Sequence, residues 1–192
     1  MRNFLLALVV VPSALAQNAE FAVSGGQSRL SNNSLGQFQG AGLSLQDGFR
    51  LGFRVTLNNS RFFGHEFGYA YNRSKLRFET SPPEDQGMAI HQGFYNFLVY
   101  GTPEGSKIRP FATGGGHFNN FVPPGSSATS GGGDVKFGIN YGGGLKIRIG
   151  PMFAIRLDLR QYLTKKPNFG GALQPSGMLR QLEVSAGFAL VL

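Results

Sequence analysis

The sequence predicts an all-β fold: an eight-stranded antiparallel up-and-down transmembrane β-barrel with short turns at one end and long loops at the other. Three observations predict it. The stretch from Met178 to Leu192, MLRQLEVSAGFALVL, alternates between a bulky apolar face and a smaller, more polar one, and the sequence stops on it. Seven strand-like runs precede it, and the links between runs alternate long and short. In the cleanly alternating runs, the bulky residues oppose glycine and charge, which inverts the pattern of a soluble barrel.

The beginning of the chain addresses export. Arg2 is a short positive region, Phe4 to Val11 is an apolar run, and Ala14-Leu15-Ala16 is a small-residue cleavage site. That is a secretory signal peptide, expected to be cut after Ala16. The apolar run falls well short of the ~20 residues a spanning helix needs. Two regions follow: 1–16, a signal peptide, and 17–192, one barrel domain.

Charged residues make up only 15% of the chain, against ~25% in ordinary soluble domains. There is no Cys, so an exported domain of this size needs another means of holding itself together. A closed hydrogen-bonded barrel is one. The formal charge of +8 suits an anionic membrane surface or lipopolysaccharide better than nucleic acid once export is accepted.

The runs justify the strands in order. Run one is Glu20 to Ser28, with Phe21 and Val23 on one face, and a polar link rich in Ser, Asn, Gln and Gly follows, Arg29 to Gly48. Run two, Phe49 to Leu57, alternates most cleanly and ends in the turn Asn58 to Arg61. Run three spans Phe62 to Arg77, and the link Phe78 to Gly87 holds Pro82-Pro83. Run four, Met88 to Gly101, is apolar or aromatic on both parities, so its facing stays open; its exit, Thr102 to Ser106, is short. Run five, Lys107 to Phe118, carries Gly114 to Gly116, which suggests a bulge or bend. The low-complexity link Asn119 to Asp134 leads to run six, Val135 to Ile149. A tight turn at Gly150-Pro151 joins it to run seven, Met152 to Leu163, and the link Thr164 to Gly177 leads to the closing run.

An even strand count puts both ends on the side of the short turns. Outer-membrane barrels place short turns in the periplasm and long loops outside. The interior of an eight-stranded barrel is too narrow for the Phe, Ile and Leu of runs two, six, seven and eight, but it holds glycines and paired charges. The bulky face is therefore expected to meet lipid. A secreted soluble lipid-binding barrel is the alternative, and solubility without detergent separates the two.

At this point the sequence resembles the small outer-membrane barrels of the OmpA/OmpX type. The resemblance rests on the signal peptide, the eight-run meander, Arg109-Pro110-Phe111 at the start of a glycine-rich fifth strand, and the terminal alternation. It implies a porin-like integral protein of the Gram-negative cell envelope, in the bacterial outer membrane. It also implies that the last strand, through Val184, Ala186, Phe188, Leu190 and Leu192, is the signal read by the β-barrel assembly machinery. That signal usually ends in Phe, whereas this chain ends in Leu192 with Phe188 four residues earlier.

The inward parity collects Arg50, Arg54, Lys146, Arg148, Arg156 and Arg160 against Glu66, Asp158 and Glu183. Charges inside a filled barrel must pair. A turn at 58–62 sets Arg54 across from Glu66, and the turn at Gly150-Pro151 sets Lys146 across from Arg156, with Asp158 or Glu183 as counter-ion. Lys136 and Glu20 share the inward parity and are expected near the rims.

His65, His91 and His117 lack any short metal-ligand spacing, so no metal or cofactor is expected. His117-Phe118-Asn119-Asn120 is similar to the His-x-Ser-Asn signature of lipid A deacylase barrels, but an amide stands at the nucleophile position and cannot be activated as a hydroxyl can. No catalytic role is expected. The reading is a monomeric barrel with a structural or surface-interaction role. An unknown ligand would meet the loops Arg29–Gly48, Phe78–Gly87, Asn119–Asp134 and Thr164–Gly177. A narrow anion-preferring pore and a lipid A-modifying enzyme are the competing readings.

Overall fold

A computed structural model describes residues 18–127, 132–169 and 175–192. The expected signal peptide lies outside the described residues. The strands are β1 Asn18–Ser31, β2 Ser34–Phe38, β3 Ala41–Asn58, β4 Phe63–Glu79, β5 Glu84–Tyr100, β6 Ile108–Val122, β7 Asp134–Arg148, β8 Phe153–Lys165 and β9 Met178–Val191. Sequential strands pair antiparallel from β2 to β9, and β1 pairs with both β9 and β3. Eight strands thus close a barrel, with β2 as a ninth, added piece. The seam matches the expected closure, with Phe21 opposite Leu190 and Val23 opposite Phe188. A backbone in hydrocarbon has no water to bond, so a sheet there can leave no edge unpaired.

Two links expected as loops are mostly strand. Within Arg29–Gly48, β1 runs on to Ser31 and β2 folds back onto the start of β3, Phe38 opposite Ala41. Phe78–Gly87 shrinks to residues 80–83, because β4 and β5 continue past the barrel wall with Arg77 opposite Asp85. Arg77 clasps Asp85 through Nε and Nη2 at 2.6 and 2.9 Å, which ties that hairpin. The short turns at 59–62, 101–107 and 149–152 all lie at the other end.

The two faces separate by parity, as expected. Phe53, Phe137 and Phe188 are 57%, 76% and 66% exposed, while Ala70, Asn72 and Glu66 on the opposite parity are fully buried. A continuous outer belt of Phe, Tyr, Leu, Ile and Val is the face a membrane barrel turns to lipid. The facing of run four, left open by its sequence, and that of run five are also defined. On β5, Tyr95, Phe97 and Val99 point out and Gln92, Phe94 and Leu98 point in; on β6, Phe118 points out and His117 in.

The expected bulge at Gly114–Gly116 is absent, since β6 stays in register with both neighbours there. A Cβ on Gly115 would sit 2.0 Å from the Tyr95 carbonyl oxygen, so glycine at this position serves close approach instead. The ladder does slip in β3, between Gln46 and Phe49. That bulge flips the pleat. Leu43 and Leu45 point inward, while Phe49 and Leu51, of the same odd numbering, point out.

Leu157 lies on the outer belt, 44% exposed. Leu157→Arg is expected to destabilise the folded barrel by ~2–4 kcal/mol near mid-membrane. Urea titration in lipid vesicles measures this, and unchanged stability would reverse the assigned facing.

Candidate functional site: the barrel interior and its two ends

The inward side chains stack in three levels. The middle level holds four guanidiniums, Arg50, Arg54, Arg156 and Arg160, around three carboxylates, Glu66, Asp158 and Glu183. Asp158 lies at its hub. It meets Arg54 at 2.6 Å and both Arg156 and Arg160 at 2.9 Å. Glu183 takes Arg50 at 3.0 Å and Arg54 at 2.9 Å, and Glu66 takes Arg156 at 2.6 Å and Arg160 at 2.8 Å. All seven side chains are buried.

The expected direct pairing of Arg54 with Glu66 does not form. The β3–β4 register runs two residues longer, with Arg54 opposite Gly68 and Thr56 opposite Glu66. Arg54 reaches across the barrel to β8 and β9 instead, and Glu66 reaches to β8. Both are inward, so a shift of two kept the parity and changed only the partner. The turn at Gly150-Pro151 places Lys146 opposite Arg156, as expected. Their counter-ions differ: Asp158 and Glu66 serve Arg156, whereas Lys146 takes Glu20 at 2.6 Å.

Glu20 is 4% exposed, not at the rim. Its carboxylate accepts from Lys146 and from Asn58 at 2.7 Å, and Lys146 also donates to the Tyr100 hydroxyl at 2.7 Å. This is the lower, periplasmic level, closed by Leu98, Tyr100 and Phe111. Arg109 lies there with its guanidinium carbon 3.4 Å from the Tyr100 ring centroid. Arg148 is half-buried at the end of β7 and joins no ion pair among the described residues. Lys136 is at the opposite rim, 3.0 Å from Asp134.

The middle level carries one positive charge more than its carboxylates offset. Aromatic faces and neutral donors surround that excess. The ring of Phe94 is 5.9 Å from the Arg54 guanidinium carbon and 5.6 Å from that of Arg160, and Arg156 lies 4.6 Å from Phe111. Arg50 donates to Gln92 and to the Tyr162 hydroxyl at 3.3 Å, and Tyr162 donates to Glu183 at 2.9 Å. Inward glycines make the room: the Phe94 ring occupies the space a Gly68 side chain would need, and Phe111 does the same at Gly144.

The upper, extracellular level is an apolar plug that the sequence did not reveal. Leu30, Leu35, Leu43, Leu45, Leu76, Met88, Ile90, Phe121 and Leu179 form one buried cluster, with Phe78 and Phe169 against it. Burying each such side chain contributes roughly 1.5–3 kcal/mol.

The three histidines do not meet. His65 and His91 lie on the outer surface, bonded to Tyr95 at 2.7 Å and to Tyr69 at 2.5 Å. His117 is buried, 2.6 Å from the Thr164 hydroxyl and edge-on to Tyr162. Asn119 bonds Gln92 and Thr164, so the His117–Asn119 pair is built into the interior wall. Val184, Ala186 and Phe188 face outward, Leu190 is half-buried at the seam, and Leu192 is exposed.

A closed eight-stranded sheet with a lipid-facing apolar belt and a charge-paired interior defines a small integral outer-membrane barrel. The model of the outer membrane protein beta-barrel domain matches residues 4–189, and the chain belongs to that family. It is a protein of the bacterial outer membrane. Solved structures with the same fold include the outer membrane protein OprG from Pseudomonas aeruginosa, at 12% identity and TM-score 0.59 over 92% of this chain and 97% of that one. Neisserial surface protein A is similar at 15% identity and TM-score 0.59, covering 90% and 96%. Ail, the attachment invasion locus protein of Yersinia pestis, solved with the heparin analogue sucrose octasulfate, matches at 13% and TM-score 0.54, covering 92% and 99%. No curated protein matches the sequence.

Removing Asp158 would take one of two carboxylate partners from each of Arg54, Arg156 and Arg160 and leave two buried positive charges in excess. Asp158→Ala is expected to cost about 3–5 kcal/mol, the usual penalty for breaking a buried pair from one side. Arg156→Ala combined with Glu66→Ala should be milder than the sum of the singles. Urea unfolding in vesicles reads both, and strict additivity of Arg156 and Glu66 would contradict the contact.

Proposed function

We propose that this chain is a monomeric, non-conducting outer-membrane barrel whose work is surface interaction through its extracellular hairpins, with no catalytic role. One observation carries the reading: the interior is filled at every level. Ion pairs occupy the middle, Lys146–Glu20 and Tyr100 the periplasmic end, and the leucine-rich cluster the extracellular end. A narrow anion pore would need a continuous water path past Arg50 and Arg54, which are 1% and 2% exposed. The strands that project outward give the rigid presentation a binding surface needs. β4 and β5 extend to a turn at 80–83, and β2–β3 forms a second hairpin. The ligand of these hairpins and of the 123–133 and 166–177 connections is a surface or extracellular molecule.

Residues 1–16 are read as the export signal. The outward alternation Val184, Ala186, Phe188, Leu190 and Leu192 is read as the segment recognised by the assembly machinery. Deleting residues 188–192 removes the partners of Phe21 and Val23 at the seam. That truncation should stay in the periplasm and be degraded; fractionation with normal outer-membrane levels would refute the assignment.

In planar bilayers the folded protein is expected to give no stepwise current above the bare membrane. Reproducible anion-selective steps would overturn the closed reading. Cutting back the projecting ends of the β4–β5 and β2–β3 hairpins to short turns should leave the heat-modifiable folded band intact on gels while abolishing surface binding.

A further inference from the structure

The outer face of β7, β8, β9 and β1 differs from the rest of the belt. The outward residues run in rows from the periplasmic side upward. Phe153, Leu190 and Phe21 form one row, followed by Ile155, Phe188 and Val23. The next row, Leu157, Ala186 and Gly25, loses bulk, and Gly143 on β7 lies beside it, opposite Leu159. The missing side chains leave a lipid-facing groove of about 1080 Å³, walled by Tyr141, Leu159 and Val184 and reaching Arg29 at its upper end.

Above the groove the same face turns cationic. Arg29 lies opposite Leu182, Arg180 opposite Ser31 and Leu163, and Lys165 opposite Met178. Each successive cation is a diagonal neighbour of the last, ~7–8 Å away across the strands. All three are exposed, and none makes an ion pair or side-chain hydrogen bond among the described residues. The carboxylates of these four strands are committed elsewhere. Glu20, Asp158 and Glu183 point inward, and Asp134 at the rim holds Lys136. Like charges at such spacing repel unless an anion lies among them. They lie on the extracellular side of the groove, flanked by the exposed apolar residues Ile139 and Met178, and the groove below opens on the lipid-facing surface.

We propose that this face binds a phosphorylated lipid of the outer leaflet, with an acyl chain in the groove over Gly25, Gly143 and Ala186 and the headgroup phosphate held by Arg29, Arg180 and Lys165. Arg forks match phosphate oxygens in a bidentate manner, and Lys supplies a point charge beside them. The site does not depend on what the hairpins bind. It combines two sources of specificity, because a free anion would use only the cations and a neutral lipid only the groove.

The test uses the folded protein in phosphatidylcholine nanodiscs containing either diphosphoryl lipid A or its dephosphorylated form. Lipid retained on transfer to detergent is quantified by mass spectrometry. The wild type should retain the diphosphoryl form about tenfold better, as expected for a few surface cations near an anionic lipid. The Arg29→Gln, Arg180→Gln, Lys165→Gln triple variant should lose that preference. Gly25→Leu with Ala186→Leu keeps the cations but fills the groove, and retention of both lipids should fall several-fold. A Cβ at Gly25 makes only ordinary contacts, the nearest 3.8 Å away, so the fold should survive, and heat-modifiability on gels checks it. Equal retention of the two lipids by the wild type overturns the proposal. So does an unchanged preference in the triple variant. Full displacement of the lipid by inorganic phosphate or heparin would assign the cations to a soluble anion, which also overturns it.

Discussion

In hydrocarbon, every backbone N–H and C=O of a strand must be bonded within the sheet. That constraint forces β1 to meet both β3 and β9. Once the sheet closes on eight strands the interior is narrow, and no large body of water can share it. Any charge placed there must find a protein partner, since a stranded buried charge costs several kcal/mol. The network around Asp158 follows from closure in this sense. Four arginines are tolerated because three carboxylates, Tyr162, Gln92 and the face of Phe94 surround them. The pairs are not a source of large net stability. Their role is to make a polar interior compatible with a barrel this small, and they tie β3, β4, β8 and β9 together across the lumen.

How much of this the sequence discloses depends on which physical rule governs each residue. Facing was legible wherever bulk alternated with glycine or charge, because a pleated strand has a period of two and lipid accepts only the bulky face. That rule picked out Arg50, Arg54, Glu66, Asp158 and Glu183. Partners were not legible to the same degree. A register shifted by two preserves every facing, so the parity rule could not distinguish Arg54 opposite Glu66 from Arg54 opposite Gly68. Glu20 had the inward parity, but its position near the start of β1 suggested a rim. Tyr162 shares the parity of Asp158 and Arg160 and could have been found on that ground alone.

The outer half was harder to read for a different reason. Strands that rise beyond the membrane are solvated and need no apolar belt, so the Ser-, Asn- and Gln-rich stretch after Arg29 had the composition of a loop although much of it is paired. The apolar plug was hidden by the β3 bulge. Leu43 and Leu45 look like a continuation of the Phe49–Leu51 pattern, and only the inserted residue turns them inward. A bulge is a one-residue event with no strong compositional mark, so an odd-numbered leucine on one side of it says nothing about an odd-numbered phenylalanine on the other.

Glycine shows how parity gives one residue type two meanings. Inward, Gly68 and Gly144 are voids in the wall that Phe94 and Phe111 fill, which brings aromatic faces against guanidiniums. Outward, a Cβ at Gly25 would meet Phe49 and Leu51 only at ordinary contact distance and no side chain covers Gly143, so the wall is indented on its lipid side. β7 does both within three residues, Gly142, Gly143 and Gly144. Gly142 and Gly144 leave room for Arg160 and Phe111, while Gly143 between them opens outward. The packing that compacts the charged interior and the hollow in the lipid-facing surface therefore fall on the same segment. A barrel filled by large inward side chains from neighbouring strands needs such thin stretches of wall, and a thin stretch that also carries an outward glycine leaves a groove at the membrane.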